Sequence, residues 1–234
     1  MIVYLFTGIV AAMVHVVSGP DHLAAVTPLA IESKKKSWSV GLSWGLGHTF
    51  GMLIIGILFV LFKQYIDIDV ISAYGEIIVG FLLIGIGVWA ITKIYLKHGA
   101  LIHQHVHPHI HDDELHIHTH SHREKETHVH QHSKTNRQNI FTALGIGIIH
   151  GVAGVSHLIA ILPTLAFPSK IDSIFYLTGF GGGTIFAMVL FAVILGIISQ
   201  KSSEHKKQNL HKYMRLVGGA VAIIVGCLWI VYSI

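Results

Sequence analysis

The chain has 234 residues, of which 52% are apolar and only 12% are charged. Soluble globular domains carry about 25% charged residues, so this composition excludes a soluble surface, and apolar stretches near the roughly 20 residues that cross a bilayer recur along the chain. The sequence therefore predicts an all-α integral membrane protein, placed in the cytoplasmic membrane. Cys227 is the single cysteine, which excludes a disulfide relay between two thiols of this chain.

Six hydrophobic segments follow one another in the sequence. The first, residues 1–31, has neither a basic start nor a cleavage site, so we expect it to be retained as a span. The others cover residues 38–62, 71–91, 140–167, 174–199 and 216–234. Between the third and fourth lies a polar stretch, 93–139, with 13 of the 20 histidines. Such low-complexity sequence predicts a disordered loop until metal is bound.

The basic residues are unevenly divided between the two sides of the predicted membrane. One side collects 14 of the 16 lysines and arginines, and the other holds only Lys63 and Lys170. By the positive-inside rule the first side is cytoplasmic. Both termini are then expected outside the cell, with the histidine-rich loop in the cytoplasm.

The two halves of the chain share an internal repeat. Residues 15–28 and 150–163 align without a gap and are identical at seven positions, including His15 with His150 and His22 with His157. Three spans in each half place the halves in opposite orientations, the inverted-repeat plan of many secondary transporters. The predicted organisation is a three-helix repeat at 1–92, a cytoplasmic loop at 93–139 and an inverted three-helix repeat at 140–234.

The first segment is predicted to be broken between its two histidines. Gly19 and Pro20 lie there, and an interior proline removes a backbone hydrogen bond and clashes with the preceding turn. Freed carbonyls at membrane depth are tolerated where they line a cavity or find partners. Gly151 and Gly154 occupy the matching region of the fourth segment, and interrupted spans at corresponding places indicate a transporter's binding site.

Asp21 is the only carboxylate predicted deep within a span. An ionised group in hydrocarbon costs at least about 2.5 kcal/mol, so it needs a partner or a water-filled path. Imidazole and carboxylate together favour nickel, cobalt, zinc or iron over calcium and magnesium. A lone histidine in a span is more often a packing residue than a ligand, so the prediction depends on the whole group. The predicted metal ligands are His15, Asp21, His22, His48, His150 and His157, the last two as a second station.

The motif His15-x5-Asp21-His22, followed by Gly45-Leu-Gly-His48-Thr, resembles the bacterial nickel/cobalt transporter superfamily. The closer resemblance is to its six-helix branch, which includes urease-accessory-type nickel permeases and nickel/cobalt efflux proteins. Residues 147–154 and 180–184 resemble that branch's second-half patterns. The resemblance implies metal binding at His15, Asp21 and His22, although the family signature His-x4-Asp-His is one residue shorter than here.

Residues and resemblance together predict a permease rather than an enzyme, without a bound cofactor. Its substrate is expected to be Ni²⁺ or Co²⁺, with Zn²⁺ or Fe²⁺ as further candidates. The cytoplasmic histidine-rich loop is similar to that of exporting family members, so efflux is the expected direction, and nickel uptake for a metalloenzyme is the alternative. Expected partners are the metal ion, the lipid bilayer and a cytoplasmic metallochaperone, with no nucleic acid. Protonation of Asp21 or the histidines offers a means of proton coupling.

Two other classes remain open on sequence alone. A membrane-bound His-ligated metalloenzyme, such as a di-iron oxidase, would retain redox-active iron stoichiometrically on purification. A binding or sensor protein would lose its activity on deletion of residues 97–134, whereas a permease would keep slower transport.

Overall fold

The computed structural model describes residues 1–62, 68–96, 104–111, 114–121, 133–154, 162–204 and 208–233. This part of the chain contains seven α-helices: α1 Ile2–Ser18, α2 Pro20–Ser33, α3 Ser37–Phe62, α4 Ile68–Leu96, α5 Ser133–Ala153, α6 Lys170–Glu204 and α7 Gln208–Tyr232. Short 3-10 helices cover Lys34–Lys36 and Leu162–Ala166. Strands β1 Gln104–His111 and β2 Glu114–Ser121 form a two-stranded antiparallel sheet.

The helices have the lengths and the surface of a multi-pass membrane protein. Among the described residues, four stretches are long and apolar enough to cross a bilayer: Pro20–Leu58, Tyr74–Ile94, Lys170–Ser202 and Asn209–Tyr232. The first contains both α2 and α3, which are separated where Lys34 takes a φ of 48°. Phe6, Phe81 and Phe141 are more than half exposed on the outside of the bundle, where an apolar surface suits lipid.

The first predicted segment is broken at Gly19, as the sequence indicates. Gly19 is extended (φ −87°, ψ 97°) between the end of α1 and the start of α2. Pro20 occupies the first turn of α2, where its missing N–H interrupts no helical hydrogen bond. In the second half α5 ends at Ala153, and the Gly154 N–H donates to the His150 carbonyl. Residues 155–161, which would complete the matching break, lie outside the described residues.

The closest helix pairs join the two halves of the chain. Helix α1 packs along α6, α3 along α5 and α6, and α4 along α7. Glycines permit the close approach of α4 and α7: a Cβ on Gly80 would lie 2.7 Å from the Gly226 carbonyl oxygen, and one on Gly87 would lie 2.5 Å from that of Gly219. Because residue numbers rise along α4 while they fall along α7, these helices are antiparallel.

Polar contacts collect at one end of the bundle, where α2, α4 and α6 end and α3 and α7 begin. Glu32 forms ion pairs with Lys93 at 3.1 Å and with Arg215. The Asn139 amide donates to the Ser33 hydroxyl at 3.0 Å, and the Ser199 hydroxyl donates to the Ile31 carbonyl at 2.7 Å. This end also carries Lys34–Lys36. Lys34–Lys36, Lys93 and Arg215, which the sequence assigns to the basic side, thus lie together at this end, which we call the basic end.

The histidine-rich stretch differs from the disordered loop expected from its composition. In the antiparallel pair of β1 and β2, His105 is opposite His120, His107 opposite His118, and His109 opposite His116. The physical reason is local, because the stretch alternates with period two and includes valine, isoleucine and threonine, which favour strands. The predicted loop bounds, 93–139, are too wide, because residues 93–96 continue α4 and residues 133–139 begin α5. Residues 97–103, 112–113 and 122–132 lie outside the described residues.

Candidate metal centre

Four helices bring five of the six predicted ligands into one buried cluster. These five, the His/Asp cluster, are His15 on α1, Asp21 and His22 on α2, His48 on α3 and His150 on α5. The sixth, His157, lies outside the described residues. The break at Gly19 places the end of α1 and the start of α2 side by side, so three of the residues come from one interrupted segment.

The hairpin formed by α2 and α3 brings His22 to His48. The two residues are nearly equidistant from the turn at Lys34–Lys36, so they face each other when the helices fold back. Their ring centroids are 5.0 Å apart. Helix α5 adds His150 because a glycine permits close packing: a Cβ on Gly151 would lie 3.0 Å from the Met52 nitrogen. The His150 ring is consequently 4.7 Å from that of His22.

Asp21 bridges two imidazoles from different halves of the chain. Its Oδ1 lies 2.9 Å from His22 Nδ1, and its Oδ2 lies 3.0 Å from His150 Nε2. Both nitrogens are in position to donate to the carboxylate. Asp21 is also in the first turn of α2, where the exposed N–H groups of a helix start favour negative charge. The carboxylate predicted to need a partner therefore has two.

Two overlapping groups in the cluster have donor atoms close enough to hold one metal ion. The first is His15, His22 and His48, and the second is Asp21, His22 and His150; within each group the donor atoms lie within 4.8 Å of one another. His22 belongs to both groups. With His22 Nδ1 bonded to Asp21, its Nε2 is the nitrogen that can coordinate an ion. An ion on His22 Nε2 would complete the carboxylate–histidine–metal arrangement that is common in protein metal sites.

The cluster is closed to solvent on nearly every side. The exposed fractions are 7% for Asp21, 2% for His22, 0% for His48 and 1% for His150, while His15 is partly exposed. Electrostatic interactions in such a water-poor site are stronger than at a surface. An ion held there would exchange its water for protein ligands.

Two aromatic residues that were not predicted as site residues border the cluster. The Trp44 ring stacks on His48 with centroids 4.7 Å apart and planes 14° apart. The Phe180 ring lies 5.6 Å from His15. The internal repeat could have indicated these two residues, because Trp44 directly precedes Gly45 and Phe180 directly precedes the matching Gly181.

Fold and site together define a multi-pass helical membrane protein with a buried cluster of metal-ligand type. The family described as the cytochrome c biogenesis protein transmembrane region matches residues 3–228, and the chain belongs to this family. No solved structure matches the chain.

The chain is also similar to three named proteins. It is 33% identical over 222 residues to Chloroplast protein FOR GROWTH AND FERTILITY 1 of Arabidopsis thaliana, covering 94% of this chain and 57% of that protein. Identity to FOR GROWTH AND FERTILITY 2 is 32% over 231 residues, 94% of this chain and 54% of that protein. The chain thus spans little more than half the length of these two relatives.

The third relative is Urease accessory protein UreH of Bacillus sp. (strain TB-90). It is 28% identical over 228 residues, which cover 95% of this chain and 88% of that protein. None of these three names describes a catalytic activity, in agreement with the prediction that this chain is not an enzyme.

Proposed function

We propose that the chain is a permease for a divalent transition-metal ion, with Ni²⁺ or Co²⁺ as substrate. The observation that carries the proposal is the convergence of one carboxylate and four imidazoles, from both halves of the chain, beside a broken helix inside the bundle. Imidazole and carboxylate suit these ions. Similarity to a urease accessory protein supports the nickel/cobalt branch indicated by the motifs.

The ion first occupies the group His15, His22 and His48. This choice requires the least rearrangement, because His22 keeps its hydrogen bond to Asp21 while it coordinates the ion. Asp21 contributes the charge that offsets the ion and orients His22. The second group, in which Asp21 and His150 join His22, is a later position along the path. Because His22 belongs to both groups, it stays coordinated to the ion while the other ligands exchange.

The two halves of the chain form an inverted repeat in this proposal. The glycine contacts on α4 and α7 support it, because a twofold axis that exchanges the halves exchanges the contact Gly80–Gly226 with the contact Gly87–Gly219. The same axis exchanges the pair α1 and α6 with the pair α5 and α3. Since α4 and α7 are antiparallel, the axis lies across them, in the membrane plane. Such repeats permit alternating access to a central site.

Direction and orientation complete the proposal. The basic end faces the cytoplasm by the positive-inside rule, which places both termini outside the cell. The histidine-rich stretch is then cytoplasmic, where it collects ions for efflux or receives them from a metallochaperone. Protons are the proposed coupling ions, since imidazole and carboxylate ligands bind metal only in their deprotonated forms.

The experiment is metal flux into proteoliposomes, tested with nickel, cobalt, zinc, iron(II) and manganese under defined proton gradients. The native chain is compared with Asp21→Asn and His22→Ala. A matched control is His211→Ala, because His211 contacts Ser199 at the basic end, away from the His/Asp cluster. We expect nickel or cobalt flux in the native chain and the control, and its loss in both cluster variants.

Equal flux in native and cluster variants, or no flux of any ion, would contradict the permease. Stoichiometric redox-active iron in the purified chain would then favour the metalloenzyme. Vesicles with the basic end sorted to one side separate efflux from uptake, because only one orientation accumulates metal under a given gradient.

A further inference from the structure

Trp44 and Phe180 occupy matching positions in the two halves and touch matching parts of the site. Trp44 is fully buried and packs on His48, with its ring also 5.4 Å from those of His22 and His150. Phe180, 4% exposed, packs on His15. Together the two rings contact the four histidines of the cluster.

The packing of α3 against α6 places the two rings on opposite sides of the cluster. A Cβ on Gly41 would lie 2.5 Å from the Met188 carbonyl oxygen, one on Gly45 would lie 2.9 Å from Ile185 Cα, and one on Gly181 would lie 3.1 Å from Thr49 Cγ2. Residue numbers rise on α3 as they fall on α6, so the helices are antiparallel. In this register Trp44 is level with residue 186 and Phe180 with residue 50. At 1.5 Å per residue the backbone positions of Trp44 and Phe180 are about 9 Å apart along the bundle, with His48 between their levels.

Beyond each ring, further apolar and aromatic side chains pack in a row toward one end of the bundle. Phe180 is followed by Tyr176, Phe167 and Tyr4, with successive ring centroids 6.3, 5.4 and 4.6 Å apart. These residues lead toward the end where α1 and α6 begin. Trp44 belongs to the buried apolar cluster that contains Val40 and Ala30, which lie toward the basic end. Among the described residues, apolar and aromatic side chains thus extend from the two rings toward the two ends of the bundle.

We infer that Trp44 and Phe180 are the two barriers of an occluded ion site, Trp44 toward the basic end and Phe180 toward the opposite end. The inference rests on the proposed function for its role in transport. An apolar constriction excludes a hydrated ion, so the site opens to one end only when the aromatic ring on that side moves. Their equivalence in the repeat means that one half closes each side, as alternating access requires.

A buried reporter cysteine tests the inference without any transported ion. Thr184 is fully buried at the level between the two rings, and its hydroxyl donates to the Phe180 carbonyl of its own helix. Thr184→Cys is introduced after Cys227→Ser removes the exposed native thiol. Labelling by a small membrane-impermeant methanethiosulfonate cation is measured from each side of sealed, oriented vesicles.

We expect Trp44→Ala to raise the labelling rate from the basic end alone, and Phe180→Ala to raise it from the opposite end alone. Matched controls are Trp38→Ala and Phe186→Ala on the same two helices, because these two residues are 51% and 56% exposed. Trp44→Leu and Phe180→Leu repeat the test if an alanine variant fails to fold, with helical content by circular dichroism as the check on folding.

Unchanged labelling in folded barrier variants, or a rise from both sides in either one, would overturn the inference. Failure of the proposed function is distinguishable. Sided labelling without metal flux would keep the barriers and reject the permease, whereas metal flux with unsided labelling would keep the permease and reject the barriers.

Discussion

At the scale of single residues, the position of Asp21 explains how a carboxylate is kept inside the bundle. The imidazoles of His22 and His150 each hydrogen-bond to one of its two carboxylate oxygens. The N–H groups at the start of α2 add a favourable electrostatic interaction with its negative charge. A buried charge without such partners costs several kcal/mol. Asp21 therefore depends on the histidines, and His22 depends on Asp21 for its orientation.

The two ligand groups predict different consequences for two substitutions. If the ion binds His15, His22 and His48, then His48→Ala removes a ligand, while Asp21→Asn removes an orienting group, whose loss typically costs about 10–100-fold in affinity. We expect Co²⁺ titration of the purified chain to show a larger loss for His48→Ala than for Asp21→Asn. The control is Asp172→Asn, in the first turn of α6, where Asp172 pairs with the N-terminal amine. This variant should bind Co²⁺ as the native chain does. The reverse order would assign the ion to the group that contains Asp21.

At the scale of elements, the break between α1 and α2 is the feature that builds the site. Proline at the start of α2 ends the hydrogen-bond pattern of α1, and Gly19 leaves room for the side chains of Asp21 and His22. The φ of Gly19 is one that any residue adopts, so its backbone does not require glycine. The requirement is space, because a Cβ there would lie 2.5 Å from His22 Nδ1 and 3.0 Å from Asp21 Oδ1.

Gly19→Ala is therefore expected to weaken Co²⁺ binding while the helical content stays the same. The added methyl group pushes His22 away from Asp21, so both lose their alignment. The control is Gly85→Ala on α4, where a Cβ would meet nothing within 4 Å. Circular dichroism and Co²⁺ titration of both variants check this prediction. Native affinity in Gly19→Ala would show that the His22–Asp21 contact is unimportant for binding.

At the scale of the whole molecule, ion pairs at the basic end connect helices that are distant in sequence. Glu32 at the end of α2 holds Lys93 on α4 and Arg215 on α7. Arg215 is 7% exposed, so it depends on Glu32 for compensation. Together with the Ser199–Ile31 hydrogen bond, this fixes α2 against both halves. A site formed by α2 is thereby anchored to the rest of the bundle.

Glu32→Gln is expected to destabilise the folded protein by about 3 kcal/mol or more, because it leaves a buried cation unpaired. Lys93→Gln is the matched comparison. The Lys93 side chain is 27% exposed, and loss of such a partly solvated partner should cost about 1 kcal/mol or less. Thermal unfolding in detergent measures both, and equal small shifts would show that Arg215 finds its compensation elsewhere.

Much of this organisation could be predicted from local physics. The length of the apolar segments, the missing N–H of Pro20 and the cost of burying Asp21 act within a few residues, so the sequence predicts the spans, the break and the residues of the site. The hairpin of β1 and β2 was not predicted, because the low-complexity composition indicates disorder even where a period-two pattern favours strands.

The sequence by itself determined two features of this protein: the set of residues predicted as metal ligands, and the position of the break in the first segment. Both depend only on residue type and on neighbours in sequence. Only the tertiary structure decided that Asp21 joins His22 to His150, and that Trp44 and Phe180 border the cluster from opposite sides. These contacts depend on which helices are neighbours and in what register. That is set by packing between glycines far apart in the chain, which no local pattern encodes.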